Sequence, residues 1–414
     1  MSQPRPDHRG RELPFRQALG PLLLITAVFF SNFLCRVVMG PYLVGLEREF
    51  SMTHAEAGRL FLYLSLGMAP LLACSGFVAQ RLTHRLTIIL AATGLGVAML
   101  LMSVAQGAWQ FKAGVFFMGA MAGLYFPSGV SAITSVLRPE DWGKGLSVHE
   151  LAPNLTFILV PALAATLGPS FTWRMAFLTF GLCNLAVAAA FALVGRGGEF
   201  PGEAPRPSVL AEVLSKPAFW VLSAMFSMAV SSSIGPYNML VLYLADDKGM
   251  SVETANTLLT LSRLAGPVMV LGAGFIVDRI GARRAVVLSL GFTGAFTMAL
   301  GVFSGTPLKA AVIVQPILSV CFFPAGLTAI SHTFRAPVRN VAVSLIVPTA
   351  IVAGNGLTPA FMGAMGDNGH FDWSFVILGA IVTSGILLTR VLRFTDRRAE
   401  PRDTEPPAPK RSQI

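Results

Sequence analysis

The sequence predicts an all-α integral membrane protein, with twelve transmembrane helices arranged as two six-helix bundles repeated in parallel. Three observations predict it. The 414 residues are 54% hydrophobic and only 13% charged, whereas soluble domains carry about 25% charged residues. Twelve apolar stretches approach the roughly 20 residues needed to cross a bilayer, and an isolated strand there would leave backbone groups unsatisfied. The chain also repeats itself. "YFPSGVSAITSVLR" (125–138) lies ungapped over "FFPAGLTAISHTFR" (322–335) at an offset of 197, and "GFVAQRLTHR" (76–85) over "GFIVDRIGAR" (274–283) at 198. An even number of helices per half keeps both copies running in one direction.

Residues 1–18 read as a charged N-terminal tail. The first bundle, 19–195, holds spans 19–45, 54–79, 86–106, 110–137, 145–168 and 173–195. Its opening run "PLLLITAVFF" follows charges but meets no small-residue cleavage site, so a retained helix is expected. In the fourth span, Gly119 and Gly123 have the small-residue spacing of close helix packing. Asn154-Leu155-Thr156 lies inside the fifth span, where a glycosylation-type triplet is no surface acceptor. Residues 196–217, rich in Gly, Pro and charge, read as a linker with a short surface helix near 208–215. The second bundle, 218–393, holds spans 218–245, 252–277, 284–304, 308–334, 340–365 and 372–392. Prolines 153, 161, 236, 267, 316, 324, 348 and 359 are expected to bend their helices. The tail, 394–414, has the composition of disorder.

The net charge of +10 is a topology signal. The termini and the loops on their side hold 23 of the 31 Lys and Arg; the opposite loops hold five, Arg48, Lys112, Arg174, Lys248 and Lys309. This bias places both termini in the cytoplasm, as for a bacterial inner-membrane protein, and gives no reason to expect nucleic acid. Cys35, Cys74, Cys183 and Cys321 stand singly in spans and read as small apolar residues. Neither a cofactor nor a metal is called for.

The loop "GFIVDRIGARR" resembles the signature loop between the second and third helices of each half in the major facilitator superfamily. Gly274, Asp278, Arg279, Gly281, Arg283 and Arg284 carry the match in the second half. Gly76, Arg81 and Arg85 carry it in the first, where Gln80 replaces the acid and Thr83 a glycine. The resemblance implies rocking between two bundles around a central site. A carboxylate such as Asp278 would cap a helix N-terminus or pair with arginines, making Arg81, Arg85, Asp278, Arg279 and Arg283 a cytoplasmic gate.

Arg263 and Arg36 are the charges out of place. Arg263 lies about 15 Å along its span, near the midplane, and Arg36 sits at a similar depth. Facing lipid, each would cost about 2.5 to 3.5 kcal/mol, so both are expected to face the interior. Asn256, Thr260, Arg263 and Pro267 share one helical stripe, and Asn32, Arg36 and Gly40 another. A guanidinium suits bidentate capture of a carboxylate or phosphate. Asn32, Tyr125, Asn154, Tyr237, Asn238, Gln315 and Asn355 are expected to line the same cavity. Glu150 is the one acid deep in a span; it and His149 are the groups able to carry a coupling proton, which no arginine does at ordinary pH. An arginine neutralised by Glu150 in a purely structural ion pair is the plainer alternative. His332 reads as a packing or gate residue.

The stretch from Arg36 through "EFSMTHAEAG" is similar to the first-helix arginine region of the anion:cation symporter and organophosphate antiporter families. The eighth-helix arginine resembles that of oxalate/formate and monocarboxylate transporters. These resemblances imply anion binding at Arg36 and Arg263. Three positions depart from the patterns: the seventh span has no arginine, Leu259 stands where an acid precedes the eighth-helix arginine, and Pro153 replaces a histidine. The expectation is a monomeric secondary transporter of a small organic anion, carboxylate foremost, coupled to protons and embedded in lipid. A multidrug antiporter is the alternative, although the fifth span lacks the drug exporters' glycine-proline-glycine motif. A transporter-like anion sensor is the alternative from another class. Nothing in the sequence suggests an enzyme: there is no His-Glu-x-x-His and no glycine-flanked nucleophilic serine, and the six histidines are scattered.

Overall fold

The computed structural model describes residues 12–204 and 207–392. The expected tail 394–414 and most of tail 1–18 lie outside the described residues. The first half contains α1 (Phe15–Val37), α2 (Leu43–Phe50), α3 (His54–Arg81), α4 (His84–Ser103), α5 (Ala108–Val136), α6 (Trp142–Leu167) and α7 (Trp173–Val194). The short α8 (Pro207–Leu214) occupies the linker, where a surface helix was expected. The second half contains α9 (Pro217–Leu242), α10 (Val252–Arg263), α11 (Gly266–Ile280), α12 (Ala282–Val302), α13 (Gly305–Val314), α14 (Phe322–Thr333), α15 (Ala336–Ile351), α16 (Thr358–Asp367) and α17 (Phe371–Ser384). Among the described residues eleven segments are long and apolar enough to cross a membrane, and a pair bent by 62°, Val252–Met269 with Gly272–Ile280, counts as a twelfth when taken as one broken span. The all-helical, two-bundle fold is therefore as expected.

Several spans are less regular than the sequence pattern implied. The helix expected over 19–45 stops at Val37, that over 252–277 is cut after Arg263, and that over 308–334 is interrupted between Val314 and Phe322. The eleventh span contains a π-helical turn, Val352–Leu357. Proline is the common cause. Having no N–H, it cannot bond the carbonyl four residues back, so Pro41 frees Val37, Pro267 frees Arg263, and Pro359 frees Asn355.

Glycine sets how closely the helices approach. A Cβ at Gly119 or Gly123 would overlap the α3 carbonyls of Leu64 and Met68, so the small-residue pair holds α5 against α3. The same device joins the two halves. Gly58 on α3 lies against the Pro359 carbonyl, and Gly363 on α16 against the His54 carbonyl.

Leu13 pairs with Leu137, and the linker's Phe200 and Gly202 bond His84 and Ala79; these mark one face of the bundle, here the terminal face, and residues 46–53 and 243–251 lie at the far face. The hydrogen bonds and ion pairs that join the halves, among the described residues, run from the far face to mid-bundle. Asp367 accepts from the backbone N–H of His54 at 2.7 Å and of Ala55 at 3.1 Å, so one half caps the first turn of a helix in the other. Arg48 lies 3.9 Å from Asp246, Asn256 donates to the Pro41 carbonyl at 3.2 Å, and Asn355 donates to Ser65 at 3.0 Å. The far face is closed.

Glu47 is buried in this closure, 2.8 Å from His54 Nδ1. Burial pushes its carboxyl above the ordinary carboxylate range, against the opposing hydrogen bond from His54. A carboxyl raised on closing takes up a proton on closing. Closure is thus favoured as pH falls through the raised value and loses that contribution above it. With spin labels on exposed Gln106 and Glu253, far-face residues of opposite halves, the short-distance population should grow on acidification, and Glu47→Gln should flatten this dependence. The labels should separate in Asp367→Asn, and separate further in Gly363→Ala, where overpacking costs about 1 to 3 kcal/mol. Unchanged distances in both variants would refute the closure described.

Candidate functional site

Arg36 and Arg263 each occupy the last turn of a helix that proline ends inside the bundle. The C-terminal end of a helix dipole favours a cation by about 0.3 to 1 kcal/mol. Aromatic faces add to this. The Arg36 guanidinium lies 4.5 Å over the Phe33 ring. That of Arg263 lies 5.1 Å from Phe157 and 5.0 Å from Tyr237, and donates from Nη2 to the Ser233 carbonyl at 3.0 Å. Phe33 meets Phe157 edge-on at 5.3 Å, and Phe157 meets Tyr237 at 4.6 Å. A chain of rings from α1, α6 and α9 thus connects the arginines of the two halves. The ring contacts steady the cations without forming hydrogen bonds, and apart from Arg263 Nη2 no side-chain N–H of either arginine has a partner among the described residues, leaving them for a group such as a carboxylate.

Neither arginine has a carboxylate partner among the described residues. Among the described residues the Arg36 side chain makes no hydrogen bond, and the Nε atoms of both are buried and unpartnered. Asn32, one turn before Arg36, is 1% exposed with both amide atoms unpartnered, and the Tyr237 hydroxyl is likewise buried without a partner. Buried polar groups are as a rule hydrogen-bonded, so unsatisfied groups around two cations set this place apart. Glu150 neutralises neither arginine; its Oε1 lies 3.6 Å from His149 Nδ1.

The other expected site residues have different surroundings. Tyr125 donates to the Ile25 carbonyl at 2.9 Å and lies 3.1 Å from His149 Nε2. Asn154 donates to the Glu150 carbonyl at 3.0 Å and faces Gly266 of the other half, where a Cβ would stand 3.0 Å from its Oδ1. Asn238 donates to Asn355 at 2.9 Å, and Asn355 in turn donates to Ser65, forming a polar bridge between the halves. Gln315 is committed within the second half, donating to the Ser232 carbonyl at 2.7 Å and to Thr297 at 2.9 Å. Arg81, Asp278, Arg279 and Arg283 are exposed and form no ion pair among the described residues, while Arg85 donates to the Ala192 carbonyl at 3.0 Å. His332 is exposed. Phe33 and Phe157 were not anticipated, because a phenylalanine in an apolar span carries no signal of its own.

Two parallel six-helix bundles, closed at one face around half-buried cations, define a membrane transporter fold. The model of the Major Facilitator Superfamily matches residues 25–243 and 228–413, and the chain belongs to that superfamily. Its relatives include the membrane sensor protein UhpC of Salmonella typhimurium, 24% identical over 310 residues, 66% of each chain. The gallate transporter of Pseudomonas putida is 22% identical over 78% of this chain and 79% of its own. The multidrug resistance protein MdtL of Escherichia coli is 26% identical over 76% of this chain and 72% of its own. Among solved structures, a bacterial homolog of the human lysosomal transporter Spinster, inward-facing and unoccupied, matches with a TM-score of 0.75 at 17% identity, covering 95% of this chain and 98% of that one. A POT family transporter in complex with 5-aminolevulinic acid matches at 0.75 and 13% identity, covering 91% and 96%. These two establish the shared fold.

The bonding contrast sets a stability test. Tyr237→Phe removes an unpartnered hydroxyl and should leave thermal stability in detergent unchanged or raised. Gln315→Leu strips partners from the Ser232 carbonyl and Thr297 and should cost about 1 to 3 kcal/mol. Equal losses in the two variants would contradict this assignment of partners.

Proposed function

We propose that this chain is a secondary transporter of a small organic anion, most simply a carboxylate, working by alternating access and coupled to protons. The observation that carries this reading is the pair of half-buried arginines with buried, unpartnered Nε atoms, one from each half, with no carboxylate beside either among the described residues. An anion held by both would join the halves and satisfy N–H groups that have no other partner. The terminal face is then cytoplasmic, from the distribution of Lys and Arg, and the closed far face makes this an inward-facing state of a bacterial inner-membrane protein. The bundles 19–195 and 218–393 rock about the linker, and Asn154, Asn238, Asn355 and Tyr125 support the site from its rim. Arg81, Arg85, Asp278, Arg279 and Arg283 engage when the cytoplasmic side closes. Glu150 and His149 carry the coupling proton. The name of the gallate transporter supports a carboxylate cargo.

Thermal denaturation of the detergent-purified protein with mono- and dicarboxylates, sulfonates, organophosphates and cationic drugs tests the reading. At an anion concentration 100 times Kd, stabilisation should reach about 2.7 kcal/mol. It should vanish in Arg263→Ala and be largely lost in Arg263→Lys, which keeps the charge but loses the bidentate fork. Equal anion stabilisation of wild type and Arg263→Ala would sink the site. Stabilisation by cationic drugs alone would favour a multidrug antiporter.

A further inference from the structure

His149 is fully buried, and its two ring nitrogens differ in kind. The Tyr125 hydroxyl stands 2.9 Å from the Ile25 carbonyl and 3.1 Å from His149 Nε2. A hydroxyl has one hydrogen, and a carbonyl only accepts. That hydrogen therefore goes to Ile25, and Nε2 must carry the N–H that Tyr125 accepts. In neutral His149 the lone pair is then on Nδ1. This atom is buried, has no hydrogen-bond partner, and lies 3.6 Å from Glu150 Oε1. The ring cannot easily swap its nitrogens, because it is stacked on Phe29 at 4.0 Å with the two planes 1° apart.

The charged surroundings are few. From α5 comes Tyr125, and from α6 Glu150, whose side chain is 47% exposed. On α1 the nearest charge is Arg36, seven residues beyond Phe29 and so about 10 Å along the same side of the helix. Across the interface α10 carries Arg263, 5.1 Å from Phe157, which lies two turns beyond Glu150 on α6, and α11, packed on the same helix, carries the exposed Asp278 and Arg279. A positive ring at His149 would rest on the Phe29 face, and its field would reach the arginine on the same helix.

We propose that His149 is the proton-carrying group of the transport cycle, loading at Nδ1 through Glu150, and that its charge tightens anion binding at Arg36. This rests on the anion-transport reading above. In the loading step the Glu150 carboxyl O–H breaks, Nδ1–H forms, and Glu150 is left as a carboxylate that regains its proton from water at the terminal face. The Nε2–H stays on Tyr125 throughout. The 3.6 Å separation must shorten to hydrogen-bond distance, which rotation of the part-exposed Glu150 side chain supplies. The imidazolium adds positive charge to the anion's surroundings, so proton and anion each raise the other's affinity, the linkage a symporter needs.

Nitrogen NMR of protein labelled with 15N-histidine tests this without any anion present. The His149 signals, identified by their loss in His149→Gln, should show the Nε2–H tautomer at alkaline pH. Protonation at Nδ1 should follow on acidification. Glu150→Gln should lower the midpoint, and Arg36→Gln should raise it by up to about one pH unit, the effect of a unit charge near 10 Å. Tyr125→Phe should release the ring to a mixture of tautomers; it also identifies the signals if His149→Gln does not fold. An Nδ1–H tautomer at alkaline pH, a ring that never gains its second proton at Nδ1 on acidification, or a midpoint indifferent to both Glu150→Gln and Arg36→Gln would overturn the proposal. None of these outcomes depends on anion binding, so the proposal and the anion-site reading fail separately.

Discussion

Two guanidiniums within apolar spans, with no carboxylate beside either among the described residues, are the constraint on which the rest of this structure turns. Each would cost about 2.5 to 3.5 kcal/mol facing lipid, and pairing them through one acid could neutralise only one. The fold settles them without an acid. Pro41 and Pro267 end their helices so that each arginine lies in a last turn, where the backbone dipole is negative. Phe33, Phe157 and Tyr237 offer ring faces, and Ser233 one carbonyl. These supports are weak singly and leave the guanidinium edges uncommitted. Such a charge is stable enough to fold with and still available to a ligand.

The same breaks bring the halves together. Because α1 stops at Val37, the chain turns and brings Gly40 against the backbone of Tyr237 and Asn238, where a Cβ would stand 3.3 Å from the Tyr237 carbonyl. The Pro41 carbonyl is then placed to accept from Asn256 on α10, the helix that carries Arg263. The polar bridge from Ser65 through Asn355 to Asn238 crosses at mid-bundle. Ser65 is the position that matches Arg263 in the other repeat. The duplicated sites have diverged, one into a cation and one into a link between the halves.

The architecture was legible because it rests on properties every span shares: length, apolarity, charge bias and repetition. Twelve crossings and the duplication could be read residue by residue. The breaks were only half visible. Proline positions announced bends, but whether a proline bends a helix or ends it depends on which neighbour takes the freed carbonyl. At the site, Arg36, Arg263, Asn32 and Tyr237 stood out as polar groups in apolar surroundings. The rings that join them did not, since Phe157 looks like any other lipid-compatible residue until its neighbour is a guanidinium. The far-face closure was hidden for a different reason. Asp367 sits 313 positions from His54, and no local pattern reports that a carboxylate at the end of one helix will cap another.

The closure at Gly58 and Gly363 has a thermodynamic consequence. Where these helices touch, backbone meets backbone, and no side chain has to give up rotamers for the contact to form. Shutting the far face at these points costs almost no side-chain entropy, and opening it recovers almost none. The balance between the two states is left to the side-chain contacts around this joint, the polar ones described above and apolar ones such as Met68 and Leu72 with Ile351. A joint made of backbone contact gives the closed state no penalty from frozen rotamers, so at these points neither state is favoured on that account.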